Sequence, residues 1–363
     1  MVFICILLMV PEFHSSLPAP RGRGAASNPR NRFEHTELVP LAEEYDPNRK
    51  VWTQYLRDTS SSIITRNNSP DVGFSAGVNP YRGCEHGCIY CYARPSHEFL
   101  GFSSGLEFET KIMVKEDAPR LLDDALASPK WKPVVLAMSG NTDSYQPIER
   151  KLKITRRCLE VLLKYRNPVA IVTKNHLVTR DLDLLSELAR YHSAAVTISI
   201  TTLDKKLARE MEPRTATPQS RLDAVPKLAA AKVPVSVNIA PVIPGLNDEE
   251  IPAILKAAAQ AGATDAAYIP LRLPYSVKDL FVDWLERTYP TKKEKILDRI
   301  RTMRGGKLND PNFGSRMRGE GVWSEQIENL FLLGRKRAGM PEDGPALSTA
   351  YFRRPGGQQQ YLF

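Results

Sequence analysis

Cys84, Cys88 and Cys91 stand close together in the chain, with the spacing C-x3-C-x2-C. Thiolates at this spacing can hold one iron–sulfur cluster from a single loop. A cubane cluster contains four irons, so three cysteines leave one iron without a protein ligand. That iron can bind a small molecule and carry out chemistry on it. The spacing therefore predicts a [4Fe–4S] cluster with one open coordination position.

A structural zinc site is the alternative, in which His86 or His97 would complete a set of three cysteines and one histidine. Zinc sites usually combine two ligand pairs far apart in sequence, and no second C-x2-C or H-x3-H pattern follows in this chain. Five cysteines are an odd number, which disfavours a disulfide framework. Cys158 lies in a stretch with amphipathic helical spacing, so we interpret it as a buried, inert thiol.

The composition is that of a basic globular protein of 363 residues with a formal net charge of +9. This charge favours an anionic partner, with nucleic acid as the first candidate, although a basic proteome without a specific partner explains it too. No stretch approaches the roughly 20 apolar residues that a membrane span needs, so no membrane association is expected. Residues 1–10 are apolar but lack a basic start and a clear cleavage site, so we interpret them as an early start or a tag and expect a cytoplasmic protein.

The chain divides into four predicted parts. Residues 1–66 are rich in Pro, Ser, Asn and Arg and indicate an extended or disordered arm, in which Arg21–Gly24 is interpreted as a solvated linker or a phosphate contact. Residues 67–276 alternate short apolar strands with helices, residues 277–339 are helical and basic, and residues 340–363 form a flexible tail. The predicted strands after the first are 134–138, 169–173, 195–200, 235–240 and 266–271, and the predicted helices include 154–165, 182–191, 221–231, 249–261, 284–288, 292–303 and 323–338.

This alternation predicts an α/β fold with a parallel sheet covered by helices. With a first strand just before Cys84, the pattern gives six β/α units. In barrels built from such units, the chemistry lies at the carboxyl ends of the strands. Asp143, Lys174 and Ser199 all follow or end predicted strands, so we expect them at one edge of the sheet.

The cysteine motif, with Tyr90 as an aromatic residue before the last cysteine, resembles the cluster loop of the radical S-adenosylmethionine (SAM) superfamily. Over roughly residues 67–316 the chain is most similar to the branch related to spore photoproduct lyase. The motifs that carry this resemblance are residues 68–71, the cysteine motif, residues 142–149 (TDSYQPIE), 173–174, 211–214 (MEPR) and 240–248. It implies a partial (β/α)6 radical SAM barrel, a [4Fe–4S] cluster, SAM as cofactor and an electron donor. The implied reaction is reductive cleavage of SAM to a 5′-deoxyadenosyl radical.

Roles in binding SAM follow from the groups that this molecule presents. Thr142 and Asp143 are expected to accept from its amino group, in place of the superfamily's usual Gly-Gly-Glu run. Lys174 and Ser199 are expected to contact its carboxylate and ribose, and Arg214 is a further carboxylate partner. The adenine is expected to lie against Tyr90 and the turn at Ile243. The structural alternatives are that Asp143 and Ser199 cap helices and that Glu212 pairs with Arg214.

The resemblance also implies a cysteine hydrogen donor at the end of the second strand, but residues 138–143 contain none. This departure argues against the spore-photoproduct reaction, and Tyr145, or Cys158 if its helix brings it close, could donate hydrogen instead, although neither is favoured. A nucleic acid is the expected substrate for DNA repair or modification, with a peptide or small molecule as the runner-up. A protein of another class, a non-catalytic nucleic-acid-binding module with a structural metal site, is the remaining alternative.

The last five residues, Gln359–Phe363, follow the pattern Q-x-x-L-F. This resembles the short peptide by which bacterial repair and replication proteins bind the sliding clamp. The preceding glycines provide a flexible linker, and Leu362 and Phe363 suit an apolar pocket. The alternative is that these residues fold back on the barrel as an apolar latch.

Overall fold

The computed structural model describes residues 18–34, 50–341 and 344–355. Within them, the strands are β1 (Gln54–Arg57), β2 (Ile64–Arg66), β3 (Ala76–Val78), β4 (Tyr81–Arg82), β5 (Lys111–Val114), β6 (Leu136–Met138), β7 (Val169–Thr173), β8 (Ala194–Ser199), β9 (Val235–Val242) and β10 (Asp265–Pro270). The α-helices are α1 (Leu106–Thr110), α2 (Ala118–Ala127), α3 (Glu149–Leu152), α4 (Ile154–Tyr165), α5 (Leu182–Ala189), α6 (Lys205–Met211), α7 (Pro218–Ala230), α8 (Ile251–Gln260), α9 (Val277–Thr288), α10 (Lys293–Met303), α11 (Ser315–Arg318) and α12 (Val322–Arg337). Three 3₁₀ helices span Arg94–Leu100, His176–Asp181 and Asp248–Glu250.

The main sheet has seven strands in the order β10-β9-β8-β7-β6-β3-β2. Six of them, β3 and β6 to β10, are parallel, and β2 pairs with β3 in the antiparallel direction. The predicted parallel sheet with intervening helices is therefore confirmed. Within the described residues β10 and β2 do not pair, so the sheet is open.

The apolar runs of the sequence explain this core. Val169 and Ile171 of β7 and Val196 and Ile198 of β8 are fully buried, because helices cover the parallel strands. In α4 the residues with helical spacing turn inward, and Cys158 among them is fully buried. Burial raises the pKa of the Cys158 thiol, which keeps it neutral, as expected of an inert core residue.

The expected N-terminal arm contains ordered elements of the fold. β1 pairs with β5 in a second, three-stranded sheet of order β1-β5-β4, and β2 lies at the edge of the main sheet. The sequence did not predict these strands because they are short and largely exposed, so they carry no apolar run. As a division into domains, the boundary at residue 66 stays a prediction, as do those at 276 and 339.

Residues 344–355 lie against the main domain, whereas the sequence predicted a flexible tail from residue 340. The Ser348 amide donates to the His192 carbonyl (2.8 Å), and the Arg353 amide donates to the Tyr165 carbonyl (2.9 Å). Tyr165 and His192 precede β7 and β8, so this segment lies at the amino ends of the strands. No helix within the described ranges is long and apolar enough to cross a membrane.

Candidate functional site

The cysteine loop, residues 83–91, follows β4 and begins at a glycine that the geometry requires. Gly83 has φ +77°, and a β-carbon there would lie 3.0 Å from the His97 ring and from the carbonyls of Phe108 and Lys111. Gly87, in the middle of the loop, also has positive φ (+67°). Only glycine satisfies both the conformation and the close approach, so the glycines before and within the motif set the path of the loop.

The three loop cysteines form no disulfide with one another, and Cys84 and Cys88 are each only 7% exposed. Burial raises the pKa of all three, and Asp143 adds to this at Cys84 and Glu212 at Cys88. The backbone N–H of His86 faces the Cys84 sulfur. The thiolates would thus need a cationic partner, which iron supplies, so the donor set fits an iron–sulfur cluster.

Glu85 is a fully buried carboxylate that anchors the loop. Its Oε1 accepts from the Tyr55 hydroxyl (3.0 Å) and forms an ion pair with Arg214 Nη2 (3.0 Å), while its Oε2 accepts from the Ile148 amide (2.9 Å). Gln146 accepts from the Glu85 amide at 2.9 Å. The residue 142–149 motif therefore fastens the cysteine loop to the region after β6.

The residue 211–214 motif holds the other side of the loop. The Met211 carbonyl accepts from the Ile89 amide (2.9 Å), and the Arg214 amide donates to the His86 carbonyl (3.2 Å). Glu212 accepts from the Tyr90 hydroxyl and pairs with Arg221, and all three side chains are buried. The expected local pair of Glu212 with Arg214 is wrong, because each pairs with a residue outside the motif.

A third attachment comes from the N-terminal segment, residues 18–34. Fully buried Glu109 accepts from the amides of Gly24 (3.0 Å) and Ala25 (2.9 Å) and pairs with Arg94 Nη2 (2.6 Å). Arg94 in turn donates from Nε to the Cys88 carbonyl (2.9 Å). The interpretation of Arg21–Gly24 as a solvated linker or phosphate contact is wrong for its second half, since Arg23 and Gly24 are buried.

Asp143 lies where strand-end reasoning expected it, but protein groups already use both its oxygens. Oδ1 accepts from the Tyr145 amide (2.9 Å) and the Thr173 hydroxyl (2.8 Å), and Oδ2 accepts from the Lys174 amide (2.8 Å). His86 Nδ1 is 3.3 Å from Oδ2. Burial alone would raise the pKa of Asp143, but His86 and these amides outweigh it and lower the pKa. Asp143 thus joins β6, β7 and the cysteine loop, and it is not a helix cap.

Of the other predicted SAM contacts, Lys174, Tyr90 and Ile243 lie near the cysteines, whereas Thr142 and Ser199 contact other parts of the protein. Lys174 and Tyr90 lie together, with Nζ 5.8 Å from the ring centroid, and the Lys174 charge lowers the pKa of Cys88 and Cys91 against the effect of burial. Ile243 is fully buried in the apolar cluster that contains Cys88 and Tyr90. The Thr142 hydroxyl, in contrast, donates to the Tyr81 carbonyl (2.7 Å), and Ser199 is 2% exposed beside Arg221, which donates to its carbonyl (3.2 Å).

Neither candidate hydrogen donor is presented to a substrate. Tyr145 is fully buried, and its hydroxyl donates to Asp181 at 3.1 Å. Cys158 lies on the buried face of α4, within the hydrophobic core. The suggestion that either residue donates hydrogen is therefore not supported by its position.

Within the described residues, neither histidine of the zinc alternative joins the cysteines in a metal-ligand group. Both nitrogens of His86 face polar partners, Asp143 and Asn175. His97 packs against Phe102 and Phe108, and burial lowers its pKa to about 4. In the part of the chain that the structure describes, no three His, Cys, Asp or Glu side chains are gathered as ligands of a single metal ion. The thiolates of a cluster bind different irons, so they stand farther apart than the ligands of a single metal ion. The three cysteines therefore suit a cluster better than a zinc site.

Comparison with known proteins decides between the remaining classes. The model of the radical SAM superfamily matches residues 78–258. The uncharacterized protein Rv2578c of Mycobacterium tuberculosis (strain ATCC 25618 / H37Rv) is 35% identical over 283 residues, which cover 77% of this chain and 82% of that protein. The chain belongs to the radical SAM superfamily. The uncharacterized protein MJ0683 of Methanocaldococcus jannaschii is 32% identical over 173 residues, or 48% of this chain and 62% of that protein.

Among solved structures, this radical SAM chain shares its fold with spore photoproduct lyase. The structure of that enzyme with dinucleoside spore photoproduct matches with a TM-score of 0.56 and 16% identity, covering 78% of this chain and 79% of the lyase. The family resemblance inferred from the motifs is confirmed. The protein is thus a radical SAM enzyme that uses a [4Fe–4S] cluster and SAM, and the zinc-site and non-catalytic alternatives are set aside.

Sequence reasoning missed the residues that hold the loop, above all Glu85, Glu109 and Glu212. Glu212 had a signal, because it lies in the MEPR motif that carries the family resemblance. Glu85 also lies within the quoted cysteine motif, between Cys84 and His86. Glu109 had none, since its partners lie some 85 residues earlier in the chain.

Proposed function

We propose that this radical SAM enzyme holds its cluster on Cys84, Cys88 and Cys91 within a partial (β/α)6 barrel and acts on a nucleic acid. The observation that carries the first part is the cysteine loop at the carboxyl ends of six parallel strands, tied down by buried carboxylates. The second part rests on the net charge of +9 and on the fold shared with a lyase solved with a dinucleoside lesion. A peptide or small molecule is the second candidate substrate.

The cofactors, when bound, supply reductive cleavage of SAM and the hydrogen abstraction that follows. Lys174 is proposed to bind the SAM carboxylate, because its ammonium lies 5.8 Å from the Tyr90 ring centroid and its charge lowers the pKa of Cys88 and Cys91. Tyr90 and Ile243 are proposed to offer an apolar face to the adenine, and Glu212 fixes the Tyr90 ring. An external electron donor must reduce the cluster.

The remaining predicted contacts take supporting roles in this proposal. Asp143 is proposed to position the backbone of Lys174 rather than to bind the amino group of SAM, because both its oxygens already accept from protein donors. Thr142, Ser199 and Arg214 are likewise proposed to support the site through contacts within the protein. Thr142 donates to the Tyr81 carbonyl, the Ser199 carbonyl accepts from Arg221, and Arg214 pairs with Glu85. Direct contacts of these four residues with SAM stay predictions.

The reaction is proposed to differ from that of spore photoproduct lyase. Residues 138–143, at the end of β6, contain no cysteine. The proposal is therefore DNA or RNA repair or modification without a cysteine hydrogen donor at this position. We also propose a cytoplasmic location, because a low-potential cluster requires a reducing compartment.

Binding to nucleic acid tests the substrate proposal. Reconstituted enzyme would be titrated into fluorescent single-stranded and double-stranded DNA and RNA at several salt concentrations. The logarithm of affinity should fall linearly with the logarithm of salt concentration, because phosphate contacts release counterions. No binding, or binding independent of salt, would favour the peptide or small-molecule substrate.

The proposed sliding-clamp partner rests on Gln359–Phe363, which lie outside the described residues. The last described segment runs along the amino ends of the strands, on the opposite edge from the cysteine loop. A clamp bound just beyond it would leave the proposed site open. The isolated tail peptide should bind a bacterial clamp with about micromolar affinity, and replacing Leu362 and Phe363 with Ala should abolish this. Unchanged clamp binding with reduced protein stability would favour the latch.

A further inference from the structure

Arg272 lies just after β10, beside the cysteine loop. Its neighbours Leu271 and Leu273 are 2% and 0% exposed and belong to the apolar cluster that contains Cys88. Successive side chains of an extended segment point to opposite sides, so Arg272 projects the other way. Its guanidinium carbon lies 6.0 Å from the ring centroid of Tyr92, the residue after Cys91. Arg272 therefore lies close to the end of the cysteine loop.

This guanidinium is left without a good acceptor. Its Nε is buried without a hydrogen-bond partner, and its Nη1 contacts only the Met317 thioether at 3.4 Å. Within the described ranges no carboxylate lies at ion-pair distance from it. The side chain as a whole is partly exposed, so an anion that reaches the guanidinium from solvent would also give the buried Nε an acceptor.

Two neighbouring arginines, unlike Arg272, have oxygen acceptors for their guanidinium groups. Arg316 pairs with Asp71, and Arg304 donates to the carbonyls of Leu271, Ser315 and Arg316. Burial lowers the pKa of Arg272, and the charge of Arg316 lowers it further. Of these three cations, Arg272 alone has neither a carboxylate nor a carbonyl acceptor among the described residues.

Exposed aromatic rings lie beside this cation. Tyr92 is 52% exposed, and its hydroxyl donates to the Gly140 carbonyl (2.7 Å), which fixes the ring at the end of β6. Phe313 is 59% exposed just before helix α11, whose Met317 contacts Arg272, and the Arg316 guanidinium lies 4.3 Å from the Phe313 ring centroid. The Gly314 amide donates to Asp71 (2.7 Å), so this segment is held in place. Cations beside exposed aromatic rings are typical of sites for unpaired nucleotides.

We propose that Arg272 binds a backbone phosphate of an unpaired nucleotide, with Tyr92 and Phe313 as stacking faces for its bases. Phosphate oxygens would accept from Nε and an Nη of the guanidinium, an arrangement that suits the planar fork of arginine. The inference rests on the proposed nucleic-acid substrate and adds where the strand lies and which strand form is bound.

Arg272→Met tests this through binding and stability together. Affinity for a single-stranded oligonucleotide should fall by about tenfold or more, with a salt dependence lower by about one phosphate contact. Arg190→Met is the matched control, because Arg190 is 74% exposed just after α5 and its ion pair among the described residues is with Glu187, so the affinity should not change.

Stability separates a ligand site from a structural one. Without nucleic acid, Arg272→Met should melt at the same temperature as the wild type or higher, because it removes a buried Nε–H that has no acceptor. Arg304→Met should melt lower, because its three carbonyl acceptors lose their donor. A lower melting temperature for Arg272→Met together with unchanged affinity would make Arg272 structural and overturn the inference.

The two proposals can fail separately. If the wild type binds oligonucleotides and Arg272→Met binds equally well, the Arg272 site is wrong while the nucleic-acid substrate stands. If the wild type binds no oligonucleotide at any salt concentration, both the nucleic-acid substrate and the Arg272 site are wrong. Should Arg272→Met not fold, Arg272→Lys and Phe313→Ala replace it. Lysine keeps the charge without the fork, and Phe313 is exposed, so wild-type affinity in both would overturn the site.

Discussion

Buried carboxylates shape the cysteine loop as much as the cysteines do. Glu85, Glu109 and Glu212 are each at most 1% exposed, and each accepts from an arginine as well as from backbone or hydroxyl donors. A buried carboxylate is stable only when such donors surround it. The loop conformation is therefore fixed by charges that the ligand pattern itself does not contain.

Glu85→Gln should destabilise the reconstituted protein by about 1–3 kcal/mol. The amide nitrogen of glutamine cannot accept from the donors that surround the carboxylate, so at least one buried donor is left unsatisfied. Urea unfolding measures this free energy. Glu187→Gln, which alters an exposed pair with Arg190, should change it by no more than about 0.5 kcal/mol. Equal effects of the two variants would contradict the anchoring role of Glu85.

Asp143→Asn should lower stability by about 1–3 kcal/mol at neutral pH, since an amide cannot accept on both sides. His86 and the amides hold the pKa of Asp143 below its usual range despite burial. Ionised Asp143 therefore contributes stability above its unfolded pKa, about 4, and loses it as the pH falls through the folded pKa. The gap between wild type and variant, measured by unfolding of the apoprotein, should narrow below about pH 4. A gap that does not vary with pH would contradict the charged role.

Residue types and spacing were sufficient to propose the three cysteines as ligands, which stays a prediction, and to place Asp143 and Lys174 together after β6 and β7. They could not predict what each side chain contacts. Thr142 points to the Tyr81 carbonyl, and Glu85 pairs with Arg214, more than 100 residues away. Such partners depend on the tertiary fold, and a single carboxylate has no local pattern.

For the strands and helices, too, local sequence patterns were predictive, whereas contacts between distant residues were not. Strands β7, β8 and β9 and helix α4 were predicted closely because their apolar periodicity is local and strong. The N-terminal segment was misread, because a run of Arg and Gly has the composition of a linker. Its order comes from Glu109, whose carboxylate accepts from two successive amides of this segment.

Gly24→Ala should loosen this segment and expose the cluster. A β-carbon at Gly24 would lie 1.9 Å from the Gly87 carbonyl oxygen, so the segment must move away from the cysteine loop. We expect faster loss of iron to a chelator, followed by the decay of cluster absorption. Gly73→Ala is the control, because an added β-carbon there meets nothing within 4 Å. Iron loss at the wild-type rate in Gly24→Ala would mean that the segment does not protect the cluster.

At the scale of the whole molecule, the C-terminal helices complete the site. Phe281 and Trp284 of α9 and Ile296 of α10 pack in one apolar cluster with Cys88 and Tyr90. The proposed nucleic-acid substrate is consistent with the net charge of +9, and in that proposal Arg272 binds its backbone. All of this depends on radical chemistry at the cysteine loop.

The most direct test is the formation of 5′-deoxyadenosine. Anaerobically reconstituted wild type, mixed with a strong reductant and SAM, should hold about four irons and convert SAM to methionine and 5′-deoxyadenosine. Cys88→Ala should lose both properties, and Cys158→Ala, whose thiol lies in the core under α4, should keep them. Reconstituted wild type that retains one zinc, contains no sulfide and forms no 5′-deoxyadenosine would contradict the account.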